Sequence, residues 1–205
     1  MDIKNFPKVT IILRGYNYNQ AKTVMKALAQ SNIRAVEITM NTEGALETIS
    51  KLSKEFGDTM LIGAGTVTTM EQAKAAINAG AKFILSPVML SKEIIDLCRE
   101  KSVITVPGAM SPTEIYKSFE DGADIVKIFP AISCGTRFFK DVKAPLGNVP
   151  LMAVGGVSKE NVKEFFKGGA DFLGIGSGVF NKEDIESENL EGLIKSVKEF
   201  EEKIN

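Results

Sequence analysis

Histidine is absent from the 205 residues. That absence removes Ser-His-Asp and Cys-His nucleophile systems and every imidazole metal ligand, leaving Lys, Asp, Glu, Tyr, Cys and the backbone for any chemistry. Cysteine is scarce: Cys98 and Cys134 lack CxxC spacing and form no secreted disulfide pattern, so a reducing cytoplasm is the expected setting. No sign of charge dominates, with 25 Lys+Arg against 26 Asp+Glu and a formal net charge of −1. There is no broad field to attract nucleic acid or acidic lipid, and any phosphate must be held locally. Long apolar runs are missing as well. The opening MDIKNFPK has no signal-peptide core, and no stretch reaches the roughly 18 apolar residues of a membrane span, so neither export nor insertion is expected.

What is present is a regular alternation. With 44% hydrophobic and 25% charged residues, the composition is that of a globular protein. A chain of this length buries roughly 70% of its unfolded surface and needs no disulfide or structural metal. Short apolar runs at 9–13, 35–38, 61–65, 83–86, 105–108, 125–129, 151–154 and 172–175 read as strands. Helical periodicity fills 20–29, 43–55, 70–79, 92–101, 112–120, 137–142, 159–167 and 190–204. Ser91, Ser111 and Ser158 stand where N-cap hydroxyls belong, Pro112 fits a first helical position, and Gly80, Gly122 and Gly169 fit C-terminal turns. Strand starts are spaced by 20 to 26 residues, without linker or low-complexity segment.

Eight even βα units predict a single (β/α)8 TIM barrel over residues 1–205, eight parallel strands with helices outside. An open doubly wound sheet is the alternative, disfavoured by the even spacing and the lack of a GxGxxG at the first helix. Active sites of such barrels gather at the C-terminal strand ends.

Strand side chains alternate, and the outward set must meet helices. Val9, Ile11 and Leu13 facing out turns Thr10, Ile12 and Arg14 in; Val36 and Ile38 out turns Glu37 and Thr39 in; Val126 and Ile128 out sends Lys127 into the lumen with Ile125 and Phe129. Thr66 follows the third strand on the parity of Ile62 and Ala64, and an inward reading of that parity would place it at the mouth. Three inward charges on different strands form either structural pairs or a wet reactive site. Desolvation and the Arg14 charge should make Lys127 lose its proton more easily, and a neutral amine forms a Schiff base with a ketone. Glu37 is then the natural proton shuttle, and the chemistry is carbon–carbon cleavage or formation beside a ketone. A Lys127–Glu37 salt bridge without chemistry remains open at this point.

Val154-Gly155-Gly156-Val157-Ser158 follows the seventh strand and Gly174-Ile175-Gly176-Ser177-Gly178 the eighth. Loops there often take phosphate on backbone N–H groups, although the same glycines serve tight turns. Cys134 reads as a packing residue, Tyr16 and Tyr18 as mouth or surface residues, and 182–191 as a solvated acidic face.

Glu37-Ile38-Thr39, Gly63-Ala64-Gly65-Thr66-Val67, Ser86-Pro87, Pro107-Gly108, Val126-Lys127-Ile128-Phe129-Pro130-Ala131 and Gly155-Gly156-Val157 together resemble the 2-keto-3-deoxy-6-phosphogluconate (KDPG) aldolase family. That family includes 4-hydroxy-2-oxoglutarate (KHG) and 2-keto-3-deoxy-6-phosphogalactonate (KDPGal) aldolases. The resemblance spans roughly residues 5 to 180. It implies a metal-independent, cofactor-free class I aldolase, usually a homotrimer, cleaving a phosphorylated keto-deoxy sugar acid to pyruvate and glyceraldehyde 3-phosphate. It further implies Lys127 as the Schiff-base lysine and Glu37 as general acid/base. Thr66 would hold the pyruvyl carboxylate beside Pro87, Phe129 would cover the Schiff base, and Gly155, Gly156, Gly176 and Ser177 would cradle phosphate.

Two departures matter. Asn41 stands where many gluconate-type members have an arginine, and Arg14 in Leu13-Arg14-Gly15 resembles a branch carrying that arginine on strand one. Val154 stands where gluconate enzymes usually have threonine, whose hydroxyl can bond a substrate hydroxyl. Both features resemble the phosphogalactonate branch. Two other readings compete: a sugar-phosphate isomerase or epimerase, and a non-catalytic phosphometabolite-binding barrel.

Overall fold

The computed structural model describes residues 3–176 and 178–204. Its strands are β1 (Val9–Leu13), β2 (Ala35–Thr39), β3 (Leu61–Gly65), β4 (Phe83–Leu85), β5 (Ile104–Val106), β6 (Gly108–Ala109), β7 (Val126–Ile128), β8 (Leu151–Val154) and β9 (Phe172–Ile175). They pair in parallel in the order β5-β4-β3-β2-β1-β9-β8-β7-β6. β5 and β6 are two halves of the expected fifth strand, divided at Pro107, which has no N–H to give to a ladder. The carbonyls of Thr105, Pro107 and Ala109 accept from the N–H groups of Ile125, Lys127 and Phe129 at 3.1, 2.8 and 3.2 Å. These bonds join the last pair of strands and close the barrel.

The helices are α1 (Tyr18–Leu28), α2 (Ala45–Phe56), α3 (Met70–Asn78), α4 (Lys92–Glu100), α5 (Pro112–Glu120), α6 (Ala131–Cys134), α7 (Phe138–Leu146), α8 (Val162–Lys167), α9 (Lys182–Glu186) and α10 (Leu190–Ile204). Ser111 caps α5 through a box with Glu114, with Pro112 in the first turn. Equivalent boxes at Asn17 with Gln20 and Thr69 with Gln72 start α1 and α3. Ser91 holds the cap position of α4 without a side-chain bond. Ser158 caps no helix: α8 starts at Val162, after Asn161. The expected solvated face at 182–191 instead contains α9, which buries Ile185.

Two apolar cores result. Outside the sheet, Ile11, Leu13, Val36, Ile38, Val126 and Ile128 pack under the helices, as the alternation predicts. Inside, Phe83, Leu85, Ile104, Val106, Ile125, Met152 and Phe172 fill the lumen, and Phe6 closes its lower end. Phe6 meets Phe83 and Phe172 edge-on, at centroid distances of 5.3 and 5.6 Å. Burying such a ring contributes about 1.5–3 kcal/mol. With the lower lumen filled by hydrocarbon, access to the inward polar groups is left to the upper end.

Candidate active site

Lys127 at the centre of β7 and Glu37 at the centre of β2 both point inward, 5% and 1% exposed. Their alternate neighbours hold the outer core, so the strand period places them. Gly65, on the strand beside β2, leaves room for the Glu37 carboxylate, which a Cβ there would overlap. Glu37 Oε2 has no hydrogen-bond partner among the described residues, which leaves one carboxyl oxygen available to a ligand or solvent.

Burial pushes the Lys127 ammonium below its ordinary value; the Glu37 charge opposes this and the Arg14 charge adds to it. Burial also pushes the Glu37 carboxyl up, against the pull of Lys127 and Arg14. Desolvation therefore dominates at both groups and favours a neutral amine beside a protonated acid. Among the described residues no ion pair joins them. The Phe129 ring lies 4.6 Å from Lys127 Nζ, centroid to nitrogen, covering the amine with apolar surface while itself 36% exposed.

Arg14 follows β1 and reaches across two neighbouring strand ends. One guanidinium nitrogen donates to Asn41 Oδ1 at 3.2 Å, and another lies 3.5 Å from Thr66 Oγ1. Thr66 arrives there against simple alternation because its φ is +58°, a left-handed conformation that re-aims the side chain. The turn carrying Arg14 is braced by Gly15 N–H donating to Thr42 Oγ1 at 2.8 Å, and Thr42 in turn bonds Thr39 at 2.9 Å. Arg14, Asn41 and Thr66 thus form one polar rim from three strands.

A cavity of about 490 Å³ opens beside this rim. Gly155, Gly156, Val157 and Ser158 line one side, and Gly174, Gly176 and Gly178 another. Arg14, Val154 and Phe129 belong to its wall, which joins it to the lysine. Gly155 and Gly156 have φ of +91° and +79°, and a side chain on Gly156 would strike Ile132. The turn requirement and the open cavity therefore both hold at this pair. Among the described residues not adjacent in the chain, the Ile12 carbonyl oxygen alone comes near Gly176, 3.9 Å from where a Cβ would stand. Ser177 lies outside the described residues. Pro87 is half-buried, its carbonyl packed against Gly108 on the strand beside Lys127.

Besides the glycine loops, the cavity wall includes residues to which the sequence assigned no site role. Ile12 points in as expected but was given no role; Tyr16 and Ile185 complete the far wall. Ile185 was legible only as an apolar residue inside an acidic run. Tyr18 instead hydrogen-bonds Glu55 outside the cavity. Cys134 is half-buried against the outer core, with burial pushing its thiol up, as suits packing rather than reactivity.

A buried amine and a buried acid sharing the mouth of a parallel barrel, next to a cleft walled by glycine backbone, define an enzyme of the amine-nucleophile kind acting on a carbonyl compound. The chain matches the family model described as KDPG and KHG aldolase over residues 2–196. It belongs to that family and is an aldolase, a carbon–carbon lyase.

The chain is 34% identical over 170 residues to the 2-dehydro-3-deoxy-6-phosphogalactonate aldolase of Escherichia coli (strain K12), covering 82% of each. It is 36% identical over 146 residues to the 2-dehydro-3-deoxy-phosphogluconate aldolase of Treponema pallidum (strain Nichols), covering 71% of this chain and 69% of that protein. The solved native KDPGal structure superposes with a TM-score of 0.87 at 29% identity, over 100% of this chain and 99% of that one. KDPG aldolase from Legionella pneumophila, solved with pyruvate captured as a covalent carbinolamine, gives 0.85 at 26% identity over 93% and 92%.

Proposed function

We propose that this chain is a class I aldolase that cleaves a 2-keto-3-deoxy-6-phospho sugar acid to pyruvate and D-glyceraldehyde 3-phosphate. Lys127 attacks the C2 ketone to give a carbinolamine, which loses water to form the Schiff base. Glu37 gives its proton to the departing carbinolamine hydroxyl and, now a carboxylate, takes the C4 hydroxyl proton as the C3–C4 bond breaks, releasing the aldehyde and leaving the pyruvate enamine. Protonation at C3 and hydrolysis release pyruvate and restore the amine. Burial supplies what these steps need, an amine free of its proton and an acid able to hold one. The observation that carries this reading is the pair of oppositely shifted buried groups, with one Glu37 oxygen unpartnered.

Arg14 and Thr66 bind the pyruvyl carboxylate, Arg14 serving in place of the arginine missing at Asn41. Their shared rim supports this. Pro87 and Phe129 flank the pyruvyl group, and Gly155, Gly156, Gly176 and Ser177 take the phosphate. Val154 presents methyl groups where a hydroxyl would recognise C4, so the gluconate epimer is cleaved with a relaxed or reversed preference against the galactonate epimer. 4-Hydroxy-2-oxoglutarate, cleaved to pyruvate and glyoxylate, is a second substrate that uses the same lysine. No metal or organic cofactor enters these steps.

The chain works as a homotrimer in the cytoplasm. Exposed Val88, Met110 and Ile132 follow consecutive strands on one side of the barrel and supply apolar surface for self-association. Cys98 and Cys134 are both free thiols, as a reducing compartment keeps them. Sedimentation at three times the 22.2 kDa chain mass supports the trimer, and sedimentation as a monomer overturns it.

The deciding experiment is incubation with pyruvate and sodium borohydride followed by peptide mass spectrometry. A reduced pyruvyl adduct on Lys127 is expected. Its absence from folded protein overturns the Schiff-base reading and favours the phosphate-binding barrel without this chemistry.

A further inference from the structure

Asn161 stands just ahead of α8 and does not line the cavity, yet its side chain holds both ends of the turn that does. Its Nδ2 donates to the Gly156 carbonyl at 2.8 Å, and its Oδ1 accepts from Ser158 N–H at 2.9 Å. Gly156 and Ser158 are both cavity-lining residues. The backbone between them starts from two successive glycines at positive φ. Glycine tolerates many conformations, so a peptide plane beside Gly-Gly can rotate and exchange the directions of its C=O and N–H. An anion site cannot tolerate that exchange, because a carbonyl turned inward repels the ligand that the N–H attracts.

We infer that Asn161 is a positioning residue that locks the Gly156–Val157 peptide in its anion-accepting orientation and so sets the affinity for the phosphorylated end of the substrate. The bond to Gly156 holds that carbonyl toward Asn161. In a trans peptide the N–H on the other side of the plane points the opposite way, so Val157 N–H is directed away from Asn161. The second bond, to Ser158 N–H, fixes the far end of the turn against the same side chain. Gly178 then leaves the Val157 carbonyl and Ser158 Cα room to approach, since a Cβ there would lie 2.5 and 2.9 Å from them. The loop after β8 is thereby seated on the loop after β9, and Asn161 orients a wall formed by both.

The inference rests on the reading of this wall as the phosphate site, and its test separates the two. Wild type, Asn161→Ala and Asn161→Asp are assayed with the phosphorylated keto-deoxy acid, with the same acid lacking phosphate, and by pyruvate–borohydride trapping. Asn161→Asp is isosteric and keeps an acceptor for Ser158 N–H, but offers Gly156 no donor. Both variants should raise KM for the phosphorylated acid by about 10-fold or more, the size of one lost hydrogen bond. Their kcat should stay near wild type, and KM for the unphosphorylated acid and the trapping rate should not change. An unchanged KM in folded Asn161→Asp overturns the inference, as does an equal loss on both acids. Wild-type enzyme that traps pyruvate but treats both acids alike overturns the phosphate site and the inference with it, leaving the lysine chemistry standing.

Discussion

Gly65 occupies the space that would otherwise exclude the Glu37 carboxylate: a Cβ built on residue 65 overlaps Oε1 and Cδ of Glu37. The two lie on adjacent strands, and Gly65 pairs with Thr39, two residues beyond Glu37. A backbone position without a side chain thus lets the acid lie over β3, under the mouth of the barrel. Gly65→Ala must push the carboxylate away or spread two central strands. A misplacement of about 1 Å can cost roughly 10²-fold in rate, so kcat for aldol cleavage should fall by about that factor. Pyruvate trapping on Lys127 should continue at a reduced rate. A variant with wild-type kcat would show that the position of Glu37 does not matter.

The rate of pyruvate trapping should follow the free amine of Lys127, rising with pH through its lowered pKa. Arg14 contributes to that lowering, whereas Glu37 opposes it. Arg14→Ala should therefore move the rising limb to higher pH and Glu37→Gln to lower pH. Initial trapping rates at saturating pyruvate across a pH series give both shifts. Shifts of the same sign in the two variants would contradict the electrostatic assignment.

Glu37 also makes stability depend on pH. Its pKa is raised in the folded protein from the ordinary 4.5, chiefly by burial. A raised group contributes stability that is fully present below the unfolded value and is lost as pH rises through the folded value. Glu37→Gln should thus gain in Tm over wild type as pH increases from about 4.5 toward neutrality. Thermal melts at several pH values measure the difference, and a constant Tm offset would remove Glu37 as its source. Cleavage activity of this variant should fall by about 10²- to 10⁴-fold, the range for loss of a general acid/base.

Arg14→Ala should weaken pyruvate more than it weakens catalysis once pyruvate is bound. A charge-assisted hydrogen bond contributes about 1.5–3 kcal/mol, or roughly 10- to 100-fold in the pyruvate concentration giving half-maximal trapping. That concentration is read at a pH above the limb of both proteins, so the pKa shift does not enter. An unchanged value would leave the carboxylate to Thr66 and backbone.

Val154→Thr tests the epimer preference. Val154 is buried in the cavity wall, where one methyl crowds the space beside Gly174. Threonine keeps that shape and adds a hydroxyl at the wall. The ratio of kcat/KM for the gluconate over the galactonate epimer should rise by about 10-fold on substitution. No change in the ratio would place C4 recognition elsewhere.

Much of this arrangement is written in strand alternation. Lys127, Glu37 and Arg14 were placed by parity alone, because their neighbours are apolar and need helices to cover them. Parity could not place Thr66: Ile62 and Ala64 pack in the outer core, and the left-handed φ that turns Thr66 to the mouth leaves no mark in the pattern. The division of the fifth strand follows from Pro107, visible in the sequence but ambiguous between a strand end and an interruption. α6 and α9, of 4 and 5 residues, are too short to show a helical period, so Ile185 was hidden within a charged run. Ser158 looked like a helix cap because the residue type suits one; the side chain organising that turn is Asn161, three positions on.

The pairing of β1 with β9 brings the beginning and end of the strand series side by side, at Val9–Leu173, Thr10–Gly174 and Ile11–Ile175. Asn32 N–H, just before β2, also bonds Glu201 of α10 at 2.7 Å, and Asn5 and Ile204 line the same small depression at the lower end of the barrel. Around the cylinder, then, no unit is first or last. The chain supplies a reading order, but the closed ring of hydrogen bonds does not record it, and both described ends lie at the pole opposite the chemistry.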